Sequence, residues 1–147
     1  MKTKHLFFLS FISWFSVYGQ EPDPLYSFVL GNYIIIGKYP DSEKTYSGKM
    51  TIAEGKETDS VRYCEVIRHI NGKEIKGKAW VAKATSDQIP ILRIQFTDNK
   101  KQYDGAFLIK GDLDNYARAT GTFWGKDTKK PGLEAWFAGA VWDAENP

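Results

Sequence analysis

Apolar and polar residues alternate with a period of two through most of the chain, from Ser27 to Val141. Such alternation sends successive side chains to opposite faces and predicts half-buried β-strands. Turn-forming residues interrupt it and leave eight candidate strands: Ser27–Tyr39, Thr45–Ala53, Val61–Ile70, Glu74–Lys83, Ile91–Thr97, Tyr103–Lys110, Tyr116–Trp124 and Leu133–Val141. The breaks carry Pro40-Asp41-Ser42, Glu54-Gly55-Lys56, Asn71-Gly72, Ser86-Asp87-Gln88, Asp98-Asn99-Lys100, Gly111-Asp112 and Pro131-Gly132. Asn71-Gly72, lying between two alternating runs, predicts a type I′ hairpin, which makes the third and fourth strands antiparallel neighbours. No stretch reads as an amphipathic helix.

A local motif recurs within the strands: large apolar, any residue, glycine, any residue, apolar. It occurs at Tyr46-Ser-Gly48-Lys-Met50, Ile75-Lys-Gly77-Lys-Ala79 and Tyr103-Asp-Gly105-Ala-Phe107, with a looser copy at Ala119-Thr-Gly121-Thr-Phe123. Glycine inside a strand marks a bend or a close approach of backbones. Repeated at about one hairpin's spacing, it suits a sheet that curls and closes on itself. Parity assigns the faces. Tyr33, Ile35, Met50, Ile52, Cys64, Val66, Ile75, Val81, Leu92, Ile94, Phe96, Phe107 and Phe123 share one face with these glycines and with a single charge, Arg68. Lys49, Glu65, His69, Lys76, Lys78, Arg93 and Gln95 take the other face. The first set is an inside and the second an outside. Ile34 and Ile36 fall on the outer parity and need a cover, from the C-terminal strand or a partner chain.

The first residues break this pattern. Met1-Lys2-Thr3-Lys4-His5 is cationic, Leu6 to Val17 is almost wholly apolar, and Val17-Tyr18-Gly19 is a small-residue exit. These are the three parts of a secretory signal. The apolar run is short for a membrane span, and Glu21-Pro22-Asp23-Pro24 is expected to break any helix that continues from it. The chain therefore divides into a signal peptide (1–19), a lead-in (20–30) and one barrel domain (31–147). The protein is expected to be secreted or periplasmic, with no membrane span in the mature chain.

Cleavage changes the charge. Of 20 basic residues, Lys2 and Lys4 leave with the signal, so 18 remain against 18 acidic ones. A neutral chain without a basic run lacks the electrostatics of nucleic-acid binding. Cys64 is the single cysteine, so no internal disulfide forms. It is either a reactive thiol or a small buried hydrophobe in a strand.

Catalytic and metal chemistry find little support. Cys64 and His69 are five apart in a strand, hence on opposite faces, which disfavours a Cys-His pair or a shared zinc. Asp112-Leu-Asp114-Asn115 alternates oxygens as a calcium loop does but lacks the glycine and distal glutamate, so it reads as a polar turn. No catalytic residue, metal or cofactor is assigned. Arg68 is the residue to single out, because an inward-pointing arginine must find a carboxylate, a phosphate, carbonyls or water. It could anchor an anionic ligand group, or be a structural arginine paired with an inner acid or placed near a wet mouth.

The stretch Gly31-Asn-Tyr33-Ile-Ile35-Ile-Gly37, then Tyr39-Pro-Asp-Ser42, then Tyr46-Ser-Gly48, resembles the opening hairpin of lipocalin-like (calycin) proteins, and of bacterial secreted domains of that kind in particular. Ile70-Asn-Gly72-Lys-Glu-Ile75-Lys-Gly77 and Gly121-Thr-Phe123-Trp124 fit the same pattern. The resemblance covers residues 31–137 and implies an all-β fold, a single antiparallel up-and-down barrel of about eight strands with one open mouth. Tyr33 stands where lipocalins proper carry tryptophan, Thr97-Asp98 is half of their loop motif, and no arginine follows Trp142. The residues by which avidins hold biotin are not recognisable, so no ligand is implied. The reading that follows is a secreted barrel that binds a small apolar or amphipathic molecule through Tyr33, Tyr46, Phe96, Phe107 and Phe123, with Arg68 at a polar end. The alternative is an extracytoplasmic interaction or structural module with no internal ligand. That module would use Ile34, Ile36, Ile67, Trp80, Trp136 and Trp142 on the outer surface, and a homo-oligomer is possible.

Overall fold

The structure, a computed structural model, describes residues 24–58, 61–84, 89–109 and 117–139. The expected signal segment, Trp142 and the Asp112-Leu-Asp114-Asn115 turn lie outside them. Eight strands follow one another: β1 (Gly31–Lys38), β2 (Thr45–Thr58), β3 (Val61–Ile70), β4 (Lys73–Ala84), β5 (Ile89–Asp98), β6 (Lys101–Ile109), β7 (Ala117–Gly125) and β8 (Gly132–Ala138). Each pairs antiparallel with the next, and β8 pairs with β1 to close the barrel. The fold is all-β and up-and-down, as the alternation implied. No helix among the described residues is long and apolar enough to cross a membrane.

Inside and outside follow parity. Tyr33 and Ile35 on β1, Met50 and Ile52 on β2, Cys64, Val66, Arg68 and Ile70 on β3, and Leu92, Ile94 and Phe96 on β5 are buried. Lys49, Glu65, His69, Lys76 and Lys78 are exposed. Asn71 and Gly72 both have positive φ, 51° and 75°, as a type I′ turn demands. The recurring glycines face inward. At Gly121 an added Cβ would lie 2.1 Å from the Ala106 carbonyl oxygen and 2.7 Å from Phe107 Cα. Only a residue without a side chain lets β6 and β7 close up here and curl the sheet.

Two expectations need correction. The first strand does not begin at Ser27, because Pro24–Val29 is a helix, α1. Pro24 opens it, where a missing N–H costs nothing. Tyr26 and Val29, three apart, share its buried face. Six residues are too few to display a helical period in sequence. The second correction is Glu54-Gly55-Lys56, which is no break. β2 continues through it to Thr58 with a shift of register between Glu54 and Glu57.

That irregularity receives the helix. The Gly55 N–H donates to the Tyr26 hydroxyl (3.3 Å), which donates to the Tyr63 carbonyl (3.2 Å). The Arg62 guanidinium lies 4.0 Å from the Tyr26 ring centre. The Tyr33 hydroxyl donates to the Val29 carbonyl at 2.7 Å, satisfying a group at the helix C-terminus. α1 thus covers one end of the barrel. The opposite end carries the connections β1–β2, β3–β4, β5–β6 and β7–β8. They are tied together by Asn71, which donates to the Tyr39 hydroxyl, by Lys73, which donates to the Asn99 side chain, and by Asp41, which accepts from the backbone N–H groups of Lys129 and Lys130. These bonds hold the exposed Asp41 carboxyl below the usual range.

Candidate functional site

Arg68 points inward from β3 between Val66 and Ile70, with Met50 beside it on β2 and Ile75 on β4. Its guanidinium reaches Glu134 of β8, and both side chains are 1% exposed. Glu134 Oε2 accepts from Arg68 Nη2 and from the Tyr46 hydroxyl, while its Oε1 accepts from the Trp136 indole N–H at 2.6 Å. Arg68 Nη2 lies 3.4 Å from the Tyr46 oxygen. The guanidinium carbon sits 4.1 Å from the Phe96 ring centre and 5.9 Å from that of Phe123. Burying two charges costs several kcal/mol per ion, which only close geometry and further hydrogen bonds offset. Tyr46, Trp136 and the aromatic faces supply them. Burial pushes the Tyr46 phenol far up, and the Glu134 charge adds to it, so Tyr46 remains a donor.

One polar atom is left over. Arg68 Nε is the buried side-chain nitrogen or oxygen without a hydrogen-bond partner among the described residues. Around this cluster, toward the end away from α1, stand two half-buried tyrosines. Tyr39 packs on Tyr46 with ring centres 4.6 Å apart, and Tyr103 stacks on Phe96 at 5.3 Å. Tyr103 also meets Phe123 edge-on at 6.0 Å. Both phenols are raised, by burial first and then by the Asp98 charge.

Of the residues expected to line a site, the structure brings Tyr46, Arg68, Phe96 and Phe123 into this one cluster. Tyr33 and Phe107 belong to a second, deeper group around Trp136, at centroid distances of 5.9 and 4.3 Å. The middle of the barrel is filled by side chains. Ile35, Ala79, Leu92 and Cys64 are 0% exposed and have no water-sized space beside them. Burial also raises the Cys64 thiol.

Arg68 is paired with an inner acid, one of the alternatives that the sequence left open. Two readings from sequence change here. Trp136, assigned to the outer surface, is inside, because β8 turns Gly132, Glu134 and Trp136 inward and leaves Leu133 52% exposed. Ile67 and Trp80 on the outer parity are only half-exposed. Sequence reasoning missed Glu134, Trp136, Tyr39 and Tyr103. The available signal for Glu134 was Arg68 itself: a buried arginine requires an acid on the inner parity of some strand. No cluster of three metal-ligating side chains occurs among the described residues. No protein-family model matches the sequence, and no curated protein or solved structure matches the chain.

Proposed function

We propose that this is an exported, lipocalin-like barrel that binds a small, largely apolar molecule at the end opposite α1. The observation that carries the reading is the unpartnered Arg68 Nε–H, buried beneath Tyr39, Tyr103, Phe96 and Phe123. A buried donor with no acceptor costs about 1–3 kcal/mol, which a ligand oxygen or a water recovers. The aromatic faces offer stacking to the apolar body of the molecule. Glu134 already neutralises Arg68, so the complementary group is a neutral acceptor, such as a carbonyl or ether oxygen, in place of the anion that an unpaired arginine would select. Because side chains fill the middle layers, the molecule sits near the mouth.

Nile red, neutral and carrying a carbonyl, tests this. Its emission should rise and shift to the blue with the wild-type protein, and Tyr103→Ala should weaken binding about five- to tenfold. An unchanged emission spectrum at saturating protein rejects the reading. The export half rests on the cationic-then-apolar start before Gly19. Amino-terminal sequencing of protein recovered outside the cytoplasm should return Gln20 as the first residue, and an intact Met1 start there rejects it.

A further inference from the structure

Positive charge is gathered at the end of the barrel opposite α1. Lys38 and Lys44 flank the β1–β2 connection there, and Lys73 opens β4. Lys100 and Lys101 follow at the β5–β6 turn, and Lys126, Lys129 and Lys130 lie between β7 and β8. All are exposed except Lys38, which is half-buried. The same connections and the strand residues that bound them hold the acids Asp41, Glu43, Asp98 and Asp127. Glu43 meets Lys38 at 2.8 Å, and Asp41 is engaged by the backbone N–H groups of Lys129 and Lys130. Glu74, one step further into β4, pairs with Lys76 at 3.4 Å. Eight lysines against four acids leave this end with four positive charges in excess. Residues 20–147 hold 18 basic and 18 acidic side chains, so the rest of that stretch carries the opposite excess.

We propose that this end of the barrel docks on an anionic lipid surface. The choice of a bilayer over other anionic partners rests on the mouth site proposed above, since a bilayer is where an apolar molecule resides. The choice of an anionic bilayer rests on charge. The lysines come from four turns around one closed rim, and side-chain bonds tie those turns to one another. Charges set in a ring meet a plane together, whereas a nucleic-acid backbone follows a stripe. Each lysine brought near an anionic bilayer adds to the attraction. The opposite excess elsewhere on the chain turns the lysine-rich end toward such a surface. Trp124, 39% exposed and two residues before Lys126, supplies an indole of the kind that settles at headgroup level. Tyr39 and Tyr103, packed on Tyr46 and Phe96, stand at the same mouth, so docking brings lipid to the entrance of the proposed site.

Co-sedimentation with vesicles tests the docking. Phosphatidylcholine vesicles with about 30% phosphatidylglycerol should carry the protein down, and about 0.5 M sodium chloride should release it. Vesicles of phosphatidylcholine alone should leave it in solution. The triple variant Lys126→Gln, Lys129→Gln, Lys130→Gln should bind the anionic vesicles about 100-fold more weakly, at roughly fivefold per lysine. Lys49→Gln, Lys76→Gln, Lys78→Gln removes as much charge from the side of the barrel and should bind within about twofold of wild type. The sequence before Gln20 is the same in every variant, so it cannot produce the difference between them. Lys100→Gln, Lys101→Gln reads the same effect from another turn should the first variant fail to fold. Absence of binding to the anionic vesicles, equal binding to the neutral ones, or equal losses in the two triple variants overturns the proposal. Binding to duplex DNA without binding to vesicles overturns it as well. Nile red bound by a protein that ignores vesicles rejects the docking alone, and vesicle binding without Nile red rejects the mouth site and leaves the docking standing.

Discussion

Trp136 donates its indole N–H to Glu134, two residues before it on the same strand, and so holds from one side the carboxylate that Arg68 and Tyr46 hold from the other. Residues two apart on a strand share a face, and β8 uses this to place donor and acceptor together inside the barrel. The carboxylate therefore meets three donors from two other strands and its own, a geometry that ties β8 to β2 and β3 across the barrel interior.

Removing one member of the ion pair strands the other. Glu134→Gln leaves a buried, uncompensated guanidinium, and stability should fall by about 3–5 kcal/mol in urea unfolding. Arg68→Met should lose a similar amount. The double variant Arg68→Met, Glu134→Leu should recover most of it, since apolar side chains of similar volume suit an apolar wall. Additive losses in the double variant mean that the two side chains do not interact.

The raised phenol of Tyr46 links stability to alkaline pH. In the unfolded chain a tyrosine releases its proton near pH ~10. The folded chain keeps it to higher pH, so above that point the unfolded state binds fewer protons and stability falls as pH rises. The contribution is complete below about pH 10 and is lost above it at up to ~1.4 kcal/mol per pH unit. Urea midpoints measured from about pH 8 to 11.5 should show this decline, and Tyr46→Phe should be less stable at neutral pH yet flatter above it. An equally steep decline in the variant assigns the effect to other groups.

Cys64 is 0% exposed, and burial raises its thiol, so it should react with a disulfide reagent only through unfolding. Labelling rates should match global unfolding rates and leap in guanidinium. Rapid labelling of the native protein contradicts the packing around β3.

Gly121→Ala probes the curl of the sheet. A Cβ 2.1 Å from the Ala106 carbonyl forces β6 and β7 apart, and the expected cost is about 1–3 kcal/mol by thermal melting. Ala119→Gly, one inward position earlier on β7, removes side-chain volume instead and tells strain from simple loss of packing.

Much of the barrel was legible because strands obey a two-residue rule that survives even where one residue is unusual. Val61–Ile70 is the clearest case: its boundaries, its turn and the inward direction of Arg68 follow from alternation and Asn71-Gly72. The failures have local causes. α1 is too short to show a period, and Gly55 marks an irregular register in place of a turn. β8 inverts the usual composition, with Leu133 outside and Glu134 inside, because the deciding partner is Arg68, 66 residues away and invisible to any local pattern. Tyr39 and Tyr103 keep the inward parity of Gly37 and of Gly105, so both were legible and were overlooked because they stand near the ends of their strands.

The β1–β8 seam has a consequence for the order of events. The other seven pairings join consecutive strands and can form as hairpins while the chain is still being made. Ile35 and Trp136, partners across the seam, are about a hundred residues apart, and β8 is made after the other seven strands. Until it arrives, β1 and β7 both present unpaired edges and Arg68 has no counter-charge. A chain that has not yet reached β8 is thus an open sheet with a charge in its middle, and β8 acts as a latch on which the closed barrel depends.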